Sequence, residues 1–139
     1  MEIALIADDK KKELMIEFCI AYCAILSKHH LCATGKTAKY ISEATGLSVE
    51  NLLSGSLGGM EQVTSRLCYN EIDLLLYFRD TASGQPADER DWELLRNCDA
   101  YNIPCATNIA TAEVLVMALE RGDLDWRELV NPRAQKQKK

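Results

Sequence analysis

Long apolar runs, spaced histidines and clustered positive charge are all missing from this 139-residue chain, and each absence removes a class of function. No apolar run approaches the ~18 residues that a membrane-spanning helix needs. The N-terminal stretch "MEIALIADDKKK" puts an acid ahead of its short apolar run and has no small-residue cleavage pattern. It does not read as a signal peptide, so a cytoplasmic location is expected. The net charge of −5 works against a nucleic-acid surface, because phosphate contacts need a clustered positive field. The basic run "RAQKQKK" at residues 133–139 reads as a frayed, solvated tail. His29 and His30 are the only histidines and are adjacent, so no metal site is expected. No Cys-x-x-Cys occurs. Cys19, Cys23, Cys32, Cys68, Cys98 and Cys105 lie in otherwise apolar segments and read as reduced core filler, not disulfides. Neither Gly-x-Gly-x-x-Gly nor a Walker loop is present, so a dinucleotide or nucleoside triphosphate is not indicated.

What is present is an ordinary globular composition, 47% hydrophobic and 27% charged, at a length that suits one domain, 1–139. Five short apolar runs stand out: "IALIA" (3–7), "LCAT" (31–34), "NLLSG" (51–55), "IDLLLYF" (72–78) and "IPCAT" (103–107). Helical patterns separate and follow them. This alternation predicts an α/β fold, a three-layer α/β/α sandwich around a mainly parallel five-stranded sheet. The first helical segment, "KELMIEFCIAYCAILSK" (12–28), leaves almost no polar face. A helix apolar all round is buried all round, which predicts a covering partner subunit.

In such sheets ligands sit beyond the carboxyl ends of the strands, where loops lead into helix N-termini. The loop "ATGKT" sets Thr34, Gly35, Lys36 and Thr37 at such a junction, and "LSG" adds Ser54 and Gly55 on the next loop. Orphan N–H groups and the helix dipole favour an anion there. Lys36 opposes that dipole unless a bound anion reverses the sign. Lys12, near the start of the first helix, follows the same logic. The expected ligand is inorganic phosphate or a small phosphorylated metabolite.

The motifs "ATG-x-T", "LSG-x-x-GG-x-x-QV", "IDLLLYF-x-D" and "NIPCATNIATAE", in this order, resemble the methylglyoxal synthase family. The likeness in these motifs covers about residues 1–118. It implies conversion of dihydroxyacetone phosphate to methylglyoxal and phosphate by a homohexamer, without metal or cofactor. By the same resemblance Lys12, Thr34, Gly35, Lys36, Thr37, Ser54 and Gly55 hold the phosphate, with Lys36 in place of a threonine. The family's carboxylate after the first strand matches Asp9, and the histidine before it is Asp8 here. The family's catalytic base, directly after the paired glycines, falls at Met60. Its carbonyl-polarising histidine falls at Ala87, and an aspartate three residues on falls at Arg90, with Asp91 adjacent.

The reaction needs a base beside the carbonyl, a donor for the enediolate, and donors that hold the departing phosphate. Asp8, Asp9, Glu61 and Asp91 are the remaining candidates for the base. Glu61 replaces Met60 only if the turn there is not yet helical, because the next helical position lies roughly 100° around the axis. Arg90 is a candidate donor in place of the histidine. Three readings stay open: a lyase with an altered acid–base set, a phosphate-ligand binding or regulatory module, and a subunit of a hetero-oligomer.

Overall fold

The computed structural model describes residues 1–82 and 89–130. Five strands form one sheet: β1 (Glu2–Ala7), β2 (His30–Thr34), β3 (Val49–Leu52), β4 (Leu74–Phe78) and β5 (Cys105–Ala106). All the pairings are parallel, in the order β3-β2-β1-β4-β5. The expected three-layer α/β fold is what forms. Strands β1 and β4 are apolar at successive positions because both sheet faces are covered. Ile3, Leu5, Leu74, Leu76 and Phe78 face one layer, and Ala4, Ile6, Leu75 and Tyr77 face the other.

The first layer holds α1 (Lys12–Ala21), α3 (Lys36–Thr45) and α6 (Ile109–Arg121), which contribute Phe18, Ile41 and Val116 to its core. The second holds α4 (Gly59–Cys68) and α5 (Glu89–Ala100), through Val63, Leu67 and Leu94. Strand order reverses between β1 and β4, since the chain runs outward through β2 and β3 and then returns to the far side of β1. The crevice at their carboxyl ends is where such a sheet receives a ligand.

Three details differ from the reading of the sequence. The helix expected over 12–28 breaks at Tyr22, and a short α2 (Cys23–Leu26) follows. Within the single chain α1 buries one face only, through Met15, Phe18 and Cys19, and leaves Ile20 52% exposed. Strand β3 starts earlier than "NLLSG", so Ser54 and Gly55 belong to the turn after it. All six cysteines are free thiols; Cys19, Cys32 and Cys98 are core residues, but Cys68 is exposed. Burial pushes the Cys19 thiol up to about 12 and that of Cys32 to about 11, so neither is a thiolate at neutral pH. Among the described residues no helix is long and apolar enough to cross a membrane.

A fully buried guanidinium ties the chain's last described helix, α7 (Trp126–Val130), to the sheet. Arg127 donates from Nε to Asp73 Oδ1 at 3.2 Å, from Nη1 to the Asn102 carbonyl at 2.9 Å, and from Nη2 to Asn70 Oδ1 at 2.7 Å. Asn70 and Asn102 both sit at a positive φ of 54°, a conformation that asparagine tolerates better than most residues. Removing one partner of a buried ion pair strands the other charge. Arg127→Ala is therefore expected to lower the unfolding free energy by about 3–5 kcal/mol in a denaturant titration. A loss under about 1 kcal/mol would show that the network is dispensable.

Candidate active site

The two loops that carry the hydroxyls are held together by backbone. Gly35 N–H donates to the carbonyls of Leu52 and Leu53, at 3.2 and 3.1 Å. Gly35 has φ +58°, and a Cβ there would press on Ser54 at 3.3 Å. Gly59 N–H donates to the Ser54 carbonyl at 2.8 Å, and a Cβ on Gly59 would lie 2.0 Å from the Leu53 carbonyl oxygen. Only glycine fits at that position. The Gln62 side chain closes the loop by accepting the Leu53 N–H at 2.7 Å. Thr34 to Thr37 are thereby set beside Ser54 and Gly55, at the N-terminus of α3.

Around this seam opens a cavity of about 520 Å³ at the carboxyl ends of the strands. The turn after β1 contributes Asp9 and Lys12. The β2–α3 junction contributes Thr34, Gly35, Lys36 and Thr37, and the turn after β3 contributes Ser54 and Gly55. Arg90 and Asp91 enter from the first turn of α5. With Asp8, eleven of the twelve candidate residues named from the sequence thus line one cavity. Glu61 is the exception: α4 is already helical from Gly59, so Glu61 turns away from Met60, is exposed, and does not line the cavity. Met60 does line it, 7% exposed. Ala87 lies outside the described residues.

The hydroxyl of Thr37 is the one buried side-chain polar atom without a hydrogen-bond partner among the described residues. Thr37 is 1% exposed and lines the cavity. A buried hydroxyl left unpaired costs free energy, so it marks a place for a ligand acceptor. Lys12 and Asp9 pair at 2.8 Å, and the hydrogen bond from Lys12 holds the Asp9 carboxyl below its ordinary range. Asp9 is also almost fully exposed at its side chain, 93%. A carboxylate so placed is a weak base. Arg90 Nη1 donates to the Gly55 carbonyl at 3.1 Å, linking α5 to the hydroxyl loop.

Tyr77 was not legible in the sequence as a site residue. Its hydroxyl lies 2.6 Å from Asp91 Oδ1 and 3.3 Å from Asp8 Oδ1. Burial, and then the hydrogen bond to Asp91, push the phenol well above its ordinary pKa, so it stays a donor. The Asp80 N–H fixes Asp8 through Oδ2 at 2.7 Å. A phenol near the carboxyl end of an otherwise apolar strand was the signal available, since buried tyrosine hydroxyls seek a partner. No group of three His, Cys, Asp or Glu residues suited to a metal ion occurs among the described residues.

Known proteins resemble this chain. A family model described as the MGS-like domain matches residues 14–107. The methylglyoxal synthase of Caldicellulosiruptor saccharolyticus is 59% identical over 138 residues, covering 99% of this chain and 98% of the relative. The chain belongs to the methylglyoxal synthase family. The methylglyoxal synthase of Listeria welshimeri is 53% identical, covering 93% of this chain and 96% of that one. The crystal structure of methylglyoxal synthase from Elizabethkingia anophelis superposes with a TM-score of 0.76 at 36% identity, covering 83% of this chain and 76% of that one. In this family member the paired glycines are followed by Met60 and not by a carboxylate.

The unpaired hydroxyl yields a prediction with two opposite signs. Thr37→Val keeps the shape and removes the unpaired oxygen, so the ligand-free protein should be as stable or up to about 1 kcal/mol more stable. The rise in melting temperature produced by inorganic phosphate should shrink in the same variant. A destabilised apo-protein with an undiminished phosphate response would contradict the assignment of Thr37 to a ligand.

Proposed function

We propose that this chain is a methylglyoxal synthase-type carbon–oxygen lyase acting on dihydroxyacetone phosphate, with Asp91 as the base. The observation that carries this reading is the juxtaposition, in one cavity, of the Thr34–Thr37 and Ser54–Gly55 loops with Asp91. The phosphate lies among the Thr34, Thr37 and Ser54 hydroxyls, where α3 begins, with its charge met by Lys12 and Lys36. Asp91 removes a proton from the hydroxymethyl carbon beside the carbonyl. The resulting enediolate oxygen takes a hydrogen bond from Arg90, a permanently charged donor. The carbon–oxygen bond to phosphate then breaks, the electron pair leaves with the phosphate, and the cradle holds the charge that departs. Ketonisation of the enol, with a proton added at the terminal carbon, gives methylglyoxal.

Asp91 is preferred over Glu61 and Asp9 on physical grounds. Glu61 is outside the cavity, and Asp9 is exposed and committed to Lys12. Asp91 is half-buried, and Tyr77 orients one of its oxygens. The chemistry uses no cofactor. A homohexamer and a cytoplasmic setting belong to the same proposal. The apolar side chains left uncovered on α1 and α6, Ile20, Val114 and Met117, support an assembly of copies.

With Met60 where a base is expected, turnover should be slow but measurable. Asp91→Asn should lower kcat by ~10²–10⁴-fold with little change in KM, because general-base catalysis supplies about that factor. Absence of methylglyoxal formation by the unaltered chain would overturn the lyase reading. Full activity in Asp91→Asn would remove Asp91 from the role of base.

A further inference from the structure

The walls of the cavity differ in chemistry. On the side of β2 and β3 stand the hydroxyl loops, Lys36, and the unpaired hydroxyl of Thr37. On the side of β1 and β4 stand two carboxylates, Asp8 and Asp91, that converge on the single phenol of Tyr77. A phenol has one proton, so it serves one of these carboxylates at a time. Tyr77 is 4% exposed, and the Asp80 N–H holds Asp8 in place. The trio is therefore preset before a ligand arrives. Ionised carboxylates only accept hydrogen bonds, so the trio presents acceptors and negative charge. Arg90 beside it donates to the Gly55 carbonyl of the hydroxyl loop, and Lys12 pairs with Asp9.

We propose that the Asp8–Tyr77–Asp91 trio selects the carbon end of the ligand: it accepts phosphomonoesters ending in hydroxyl groups and rejects those ending in a carboxylate. The proposal rests on the phosphate cradle described above and adds to it a second point of recognition. A ligand hydroxyl can donate to Asp8 or Asp91. A ligand carboxylate brings like charge to both and has no proton to offer. Specificity of this kind comes chiefly from the repulsive contact, since a site that leaves charges facing each other penalises the wrong ligand more than it favours the right one. The buried unpaired Thr37 hydroxyl is the independent sign that this cavity is shaped for a ligand, and that the carboxylates are more than an acidic patch.

Glycerol 3-phosphate and 3-phosphoglycerate test this directly, because they differ only in a terminal hydroxymethyl group against a carboxylate. Calorimetric titration of the full chain at constant ionic strength should show 3-phosphoglycerate binding at least tenfold more weakly. In the double variant Asp8→Asn, Asp91→Asn the difference should fall below threefold. Asp91→Asn alone, at a half-buried position, should narrow the gap at least twofold and stands in if the double variant does not fold. Equal affinities in the unaltered protein, or a gap that survives in the variants, would overturn the role of the trio and leave the cradle intact. Failure of both ligands to bind would instead remove the cradle, and the trio with it. Lys36→Ala should weaken both ligands by similar factors; a loss confined to one of them would contradict the division of the cavity into a phosphate side and a carbon side.

Discussion

A close backbone approach between two loops holds this site together. Gly59 packs so tightly on Leu53 that a Cβ there would lie 2.0 Å from the Leu53 carbonyl oxygen, and Gly35 N–H reaches the Leu52 and Leu53 carbonyls. No side chain supplies this contact, so no substitution at these glycines can reproduce it. The seam brings the end of β2 and the turn after β3 side by side, where α3 begins. Its consequence is a set of hydroxyls and N–H groups at one helix N-terminus, preorganised at the point where an anion is most favoured.

Charge is distributed unevenly around that seam. Lys12, Lys36 and Arg90 line the same cavity as Asp8, Asp9 and Asp91, yet these groups do not simply neutralise one another. Lys12 is committed to Asp9, whereas Asp8 and Asp91 turn to Tyr77. Asp8 and Asp91 are thus on the β1 and β4 side, and the hydroxyl loops with Lys36 are on the β2 and β3 side. On the proposed reading a triose phosphate bridges the two. Met60 lines the same cavity with a thioether that neither accepts a substrate proton nor carries charge, which is why the proposed mechanism gives proton transfer to Asp91.

Much of this was legible before the fold was known. Continuous apolar runs at 3–7 and 72–78 announced strands covered on both faces, and the glycine, hydroxyl and charged residues in the loops after the strands marked the ligand-facing ends. Lys36, unfavourable beside a bare helix N-terminus, pointed to an anion. What stayed hidden depended on geometry that one-dimensional spacing does not carry. "LLLYF" is apolar throughout, so nothing in it says which face Tyr77 takes, and its two carboxylate partners lie 69 and 14 residues away. The orientation of Glu61 turned on whether α4 begins at Gly59 or a residue later. Nothing in "DWREL" marks Arg127 as a core residue, yet it is fully buried, and two left-handed asparagines aim acceptors at it.

The account as a whole stands on the direction in which a phosphomonoester lies in the cavity. A crystal structure with glycerol 3-phosphate bound reads that direction in one experiment. The phosphate is expected among Thr34, Thr37 and Ser54, within hydrogen-bond distance of the Thr37 hydroxyl, with the carbon chain reaching Asp91. A phosphate seated on the Asp8 and Asp91 side, or outside the cavity, would contradict the account.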